Sequence, residues 1–167
     1  MPLHLVDANV LITAHNQYYP IDGVPQFWEW LLHQAENGII KVPFEIYEEI
    51  TQGGKEDLLY KWAADADVKK KLMLDEQVNP AHVASCTKAG YAPDLTDDEL
   101  LVIGRDPFLI AYAMAAPGER CVISNEVSAP SKKRQNRKIP DVCLTMGVQC
   151  FNVFTMTRAL GFKTDWK

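Results

Sequence analysis

Short apolar runs alternate with segments of helical period along this chain, and that alternation constrains its fold more than any other feature. Residues 3–7, 39–42, 121–124 and 148–152 are such runs, each short enough to be a strand. Between the first two, Phe27, Trp30, Leu31 and Ala35 recur close to the 3.6-residue period over 26–36, and Asn37-Gly38 stops the pattern. Pro43 opens a helix to Ile50 with Phe44, Tyr47 and Ile50 on one face, broken at Gly53-Gly54. Residues 55–66, 66–74, 106–116, 139–146 and 154–160 read as further helices. Asp106 is the expected N-cap of the third of these, with Pro107 in its first turn. Residues 75–97 are polar and turn-rich, with one helix expected over 80–88. Strands alternating with helices predict a parallel sheet covered on both faces, a three-layer α/β/α sandwich of about five strands. With 167 residues and no linker, repeat or low-complexity stretch, one domain over 1–167 is expected.

Composition removes several classes. No apolar run approaches the roughly 20 residues that a membrane helix needs, and the first residues lack a basic segment followed by a cleavage site. The expected location is therefore cytoplasmic. Cys86, Cys121, Cys143 and Cys150 form no CxxC pair and no zinc spacing, so reduced core thiols are expected. A net charge of −5 gives no global basic field. Locally, however, Lys132, Lys133, Arg134, Arg137 and Lys138 concentrate positive charge just before Asp141.

The acids fall at the ends of elements. Asp7 follows the first apolar run, Glu126 follows the run at 121–124, and Asp106 and Asp141 open helices. In an open parallel sheet ligands bind outside the carboxyl ends of the strands, and strand C-termini and helix N-termini share that side. Glu49 reaches the same rim if its helix passes beneath it. Carboxylates brought together repel and raise one another's pKa, and a divalent cation with oxygen ligands relieves that repulsion. Mg²⁺ or Mn²⁺ so held activates water and clamps a phosphodiester oxygen. The plainer roles are caps for Asp7, Asp106 and Asp141 and a solvated helix face for Glu49.

The segments Val6-Asp7-Ala-Asn9-Val-Leu-Ile12, Glu49-Ile-Thr-Gln-Gly53, Asp106-Pro-Phe-Leu-Ile-Ala-Tyr112-Ala and Ile123-Ser-Asn-Glu126 resemble the motifs of the PIN-domain superfamily. The likeness spans nearly the whole chain and is greatest to a prokaryotic branch near the VapC-type toxin ribonucleases. It implies a PIN-like sandwich whose acids bind Mg²⁺ or Mn²⁺ and cut single-stranded RNA. It also implies an antitoxin protein as partner; a homodimer is a further assembly to consider. Asp7, Glu49, Asp106 and Glu126 would be the catalytic acids, with Asp7, Asp106, Glu126 and Asp141 as metal ligands. Many relatives carry Asp where Glu126 stands, and the loop 127–140 then separates it from Asp141, so both remain candidates to complete the site. Glu48 is an alternative to Glu49.

The basic segment, with Thr13 and Asn16, is the expected substrate contact. Phosphate contacts position a strand without reading its sequence; the plainer role for 132–138 is a solvated surface loop. Tyr18, Tyr19, Phe27, Trp28 and Trp30 are expected in the core or at an interface more than in base stacking. Two other activities fit parts of the pattern. Haloacid-dehalogenase phosphatases place Asp-x-Asp after the first strand, but Asn9 cannot act as their general acid. A PIN-like module that binds RNA or protein without cutting would need no reactive acid set.

Overall fold

The computed structural model describes all residues, 1–167, and is an α/β/α sandwich around a parallel sheet. The sheet holds four strands, β1 (Leu3–Val6), β2 (Ile40–Lys41), β3 (Arg120–Ile123) and β4 (Gln149–Phe151), in the order β2-β1-β3-β4. Ten α-helices surround it: α1 (Ala8–Thr13), α2 (Pro25–Glu36), α3 (Phe44–Ile50), α4 (Leu58–Ala64), α5 (Ala66–Leu72), α6 (Pro80–Ser85), α7 (Asp97–Ile103), α8 (Asp106–Met114), α9 (Ile139–Met146) and α10 (Val153–Ala159). No helix is long and apolar enough to cross a membrane.

The sequence pattern predicts about five strands, and the difference has a local cause. Beyond β2 the chain returns at Met73 and pairs with Val42 through a single parallel bridge. Val42 donates to Leu72 and its carbonyl accepts from Leu74, and the pairing goes no further. Leu72 is the last residue of α5, so the chain reaches the edge already committed to helix.

Strand pairing aligns the residues that leave the sheet. Val6 lies opposite Ile123 and Ile123 opposite Phe151, so Asp7, Ser124 and Asn152 begin the same edge. The chain winds from β1 to β2 on one side and to β3 and β4 on the other. The crevice between the carboxyl ends of β1 and β3 is thus the topological switch point, where open α/β sheets bind ligands. Leu5 and Val6 are fully buried, as are Cys121, Val122 and Ile123, as expected of strands covered on both faces.

Helix α8 packs on β1 and β3 and is apolar nearly all round, with Pro107, Leu109, Ile110, Ala111, Tyr112 and Ala113 buried. A helix of that kind belongs to the interior. It presents Asp106 at its N-terminal end, although the capping position is Arg105 and the helix stops at Met114. The aromatic cluster is core: Phe27 stacks on Tyr19 at 4.5 Å, and Trp28 meets Trp62 edge-on at 4.8 Å. All four cysteines are free thiols, three of them buried.

Two turns of wider π-helix interrupt the regular elements, Ala14–Tyr18 after α1 and Cys86–Tyr91 after α6. The second lies in the segment least legible by periodicity, where α6 ends sooner than expected. Gly90 explains part of its course. A Cβ there would sit 2.7 Å from Val142 Cγ1, so α9 closes onto the turn where only glycine fits.

Candidate functional site

Asp7 is 2% exposed and occupies the capping position of α1, yet its side chain makes no capping hydrogen bond. A helix cap accounts for only part of its role, since the amides of Ala8 and Asn9 favour its ionised form without offsetting its burial. Burial pushes Asp7 up to about 7, and the charges of Glu49 and Glu126 add to the rise; the amides of Ala8 and Asn9 oppose it. Asp106 is pushed up to about 8, first by burial and then by Asp7, Glu126 and Glu49, while Lys138 pulls it down. Glu49 is also raised by burial, tempered by Arg105. The charges of Glu49 and Glu126 thus bear on two buried aspartates, Asp7 and Asp106, that come from separate parts of the chain.

The alternatives left open by the sequence separate here. Glu48 pairs with Arg105 at 3.4 Å, and that guanidinium also donates to the Glu45 carbonyl, whereas it is Glu49 whose charge acts on Asp7 and Asp106. Glu126 accepts from the Ile139 amide at 2.6 Å through Oε2, capping α9 from outside, and its charge also bears on both buried aspartates. Asp141 does not join them. It accepts from Ser128 Oγ at 2.5 Å and from the Ala129 amide at 2.8 Å, so both oxygens are engaged. These bonds, with Arg137, hold its carboxyl below the usual range. The expected ligand Asp141 is thus a pin for the loop after β3.

The basic segment also divides. Arg134 binds Glu99 through Nε at 2.8 Å and Asp94 at 2.8 Å. Arg137 donates to the Gly90 and Asp141 carbonyls and to Thr145 Oγ1. Both guanidinia, expected on substrate, are tied within the protein. Lys132 and Lys133 are exposed, and Lys138 is the one lysine of the segment whose charge reaches Asp106. Thr13 is half-buried at the end of α1 and Asn16 exposed on the first π-turn; no hydrogen bond links either side chain to the acids.

No three His, Cys, Asp or Glu side chains converge into a ready-made metal cage. The chemistry of the donor set is nonetheless hard oxygen throughout, the kind that suits Mg²⁺ and Mn²⁺. Sequence reasoning missed two neighbours of the acids. Arg105 adjoins Asp106 in sequence and could have been noticed there. Tyr91, whose buried hydroxyl lies within the influence of Asp106 and Glu126, has no signal in the local pattern.

The model of a family described as a domain of unknown function (DUF4411) matches residues 4–164. The chain belongs to the DUF4411 family. No curated protein and no solved structure matches it. The matched span of this DUF4411 chain runs from β1 past α10 and contains all four acids of the site.

Proposed function

We propose that this protein is a Mg²⁺- or Mn²⁺-dependent endoribonuclease that hydrolyses phosphodiester bonds of single-stranded RNA, acting as the toxin of a toxin–antitoxin pair. The observation that carries the reading is the pair of buried aspartates Asp7, at the carboxyl end of β1, and Asp106, raised to about 7 and 8 by burial and by neighbouring acids that include Glu49 and Glu126. Confining carboxylates this way is unfavourable unless a cation neutralises them. A closed cage is not required, because magnesium keeps several waters and is usually held by one or two carboxylates. Bound, the cation supplies a water of lowered pKa and polarises a phosphodiester oxygen.

Asp7 and Asp106 are the enclosed acids suited to hold it. Glu126, anchored through Oε2 on the Ile139 amide, has Oε1 left for a ligand. Glu49, half-buried and tempered by Arg105, would hold or deprotonate the attacking water. Lys132, Lys133 and Lys138 supply positive charge for the RNA backbone. The PIN-like motifs around Asp7 and Asp106 support the same assignment.

The test is cleavage of end-labelled single-stranded RNA with Mn²⁺. Wild type should cut it, and Asp7→Ala or Asp106→Ala should lower the rate more than roughly a hundredfold while RNA binding persists. RNA bound but never cut by wild type would instead mean a binding module. Hydrolysis of p-nitrophenyl phosphate without RNA cleavage would favour a phosphatase.

A further inference from the structure

Of the seven residues of α7, only Ile103 is buried. Leu101 is 79% exposed, Val102 64% and Leu100 41%. Single exposed apolar side chains are ordinary, but three in a row on one short helix form a patch. The helix packs chiefly on the turn Arg134–Asn136, which leaves these three uncovered. They are held facing outward: Arg134 binds Glu99 at 2.8 Å, Thr96 and Glu99 close a capping box, and Gly104 ends the helix at a φ of 53°. Helical spacing sets an acid over each exposed apolar residue. Asp97 and Leu101 are four residues apart, as are Asp98 and Val102, so each pair shares a face one turn apart. Arg134 takes Asp94 and Glu99 and leaves Asp97 and Asp98 exposed and free. The helix dipole favours aspartates in a first turn, but it does not account for the leucines and valine beneath them.

We propose that this face of α7 docks a basic amphipathic helix of a partner protein, whose apolar side chains cover Leu100, Leu101 and Val102 and whose lysines or arginines, one turn away, pair with Asp97 and Asp98. Charge decides the occupant. RNA would bring phosphates onto the two aspartates and has nothing to pair with them. A second copy of this chain, related by a two-fold axis, would lay those acids on its mate's apolar residues or on its acids, against a net charge of −5 on each copy. A helix read at i, i+3 and i+4 presents apolar and basic groups at the spacing that α7 offers. Since α7 ends just before Arg105 and Asp106, the docked helix lies beside the acidic site. The docking needs neither metal nor RNA and stands apart from the nuclease reading.

Fluorescence anisotropy with a labelled synthetic helix of leucine and lysine at helical spacing tests this. Its controls are the same residues in scrambled order and a version with glutamate for lysine. Wild type should bind the leucine–lysine helix and neither control. Leu101→Ser with Val102→Ser should weaken binding about tenfold or more. Asp97→Asn with Asp98→Asn should weaken it less and flatten its salt dependence. Both double variants should melt close to wild type, because the side chains are exposed. Wild type that ignores the leucine–lysine helix, or binds the scrambled one as well, overturns the proposal, as does binding that the variants leave unchanged. A serine variant that melts far below wild type overturns it too, because the face is then covered within the protein. Sedimentation showing wild type paired with itself and the serine variant monomeric assigns the face to a second copy instead. Loss of RNA binding in the serine variant, with the peptide still bound, assigns it to nucleic acid.

Discussion

Asp7 follows a strand buried to the last residue, and the amides of Ala8 and Asn9 offset only part of the cost of burying its carboxyl. The energetic consequence is direct. An ionised carboxylate placed there loses water and meets Glu49 and Glu126, so the charged form destabilises the metal-free fold. Replacing it with a neutral group of the same shape removes that cost. Asp7→Asn should therefore raise the stability of the metal-free protein at pH 8 by about 1–2 kcal/mol in urea denaturation. The same variant should lose most of the stabilisation by Mn²⁺. A destabilised Asn variant would mean that the carboxylate is held by contacts stronger than its repulsion. The adjacent pair Glu48-Glu49 makes the same point from the other side: one acid is claimed by Arg105 and its neighbour faces the cluster.

At the scale of the element, the segment 132–138 reads in sequence as one basic patch, but its guanidinia and its first two lysines have different work. Arg134 ties the segment to Asp94 and to Glu99 of α7, whose own start is fixed by the reciprocal bonds of Thr96 and Glu99. Lys132 and Lys133 remain exposed. Neutralising those two together should weaken RNA binding alike for all sequences. It should also shrink the slope of log affinity against log salt by about 0.7 per lost contact on a single strand. Arg134→Ala should behave differently. Amide exchange should speed up over 94–99 and 132–138, while global melting moves little, because exposed ion pairs are weak. If Arg134→Ala alone flattens the salt slope, its guanidinium leaves the acids to meet RNA. α8 shows how an element serves a site by being inert: buried almost all round, it delivers Asp106 to the rim.

The whole molecule should carry the signature of its acids in the pH dependence of folding. Asp7 and Asp106 sit at about 7 and 8 in the folded chain, above the ordinary aspartate value of 3.8. The folded state therefore keeps protons that the unfolded state releases, and stability falls as pH rises between those limits. The contribution is present below about pH 4 and is lost through pH 7–8. Acids held below their ordinary range, Asp141 and Glu99, act oppositely and only at lower pH. Metal-free protein should thus be more stable near pH 5 than at pH 8, by an amount on the order of a few kcal/mol, measured as denaturant midpoints across pH. Millimolar Mn²⁺ should recover that loss at pH 8, by about 2.7 kcal/mol at a hundred times its dissociation constant. A flat profile, unmoved by Mn²⁺, would remove the main support for converging acids.

What the sequence determined by itself was local and periodic. Apolar runs of strand length, helical spacing and stop signals placed all four strands within a residue or two at each end, and with them the parallel sheet. Acids just after strands or at helix starts then had to share one rim, so Asp7, Asp106 and Glu126 were legible as a set before any contact was known. Tertiary structure decided which partner each charged group took. Glu126 anchors on the Ile139 amide while Asp141 pins Ser128 and Ala129; Arg134 reaches Glu99 across a separation of 35 residues and Arg137 reaches Gly90 across 47. A single bridge at Met73 stands in place of a fifth strand, and a π-turn ends at the buried Tyr91. Backbone period is written in near neighbours, but a long side chain is free to choose among all groups its reach encloses. That choice depends on packing between elements distant in the chain, which a run of residues read in order does not contain.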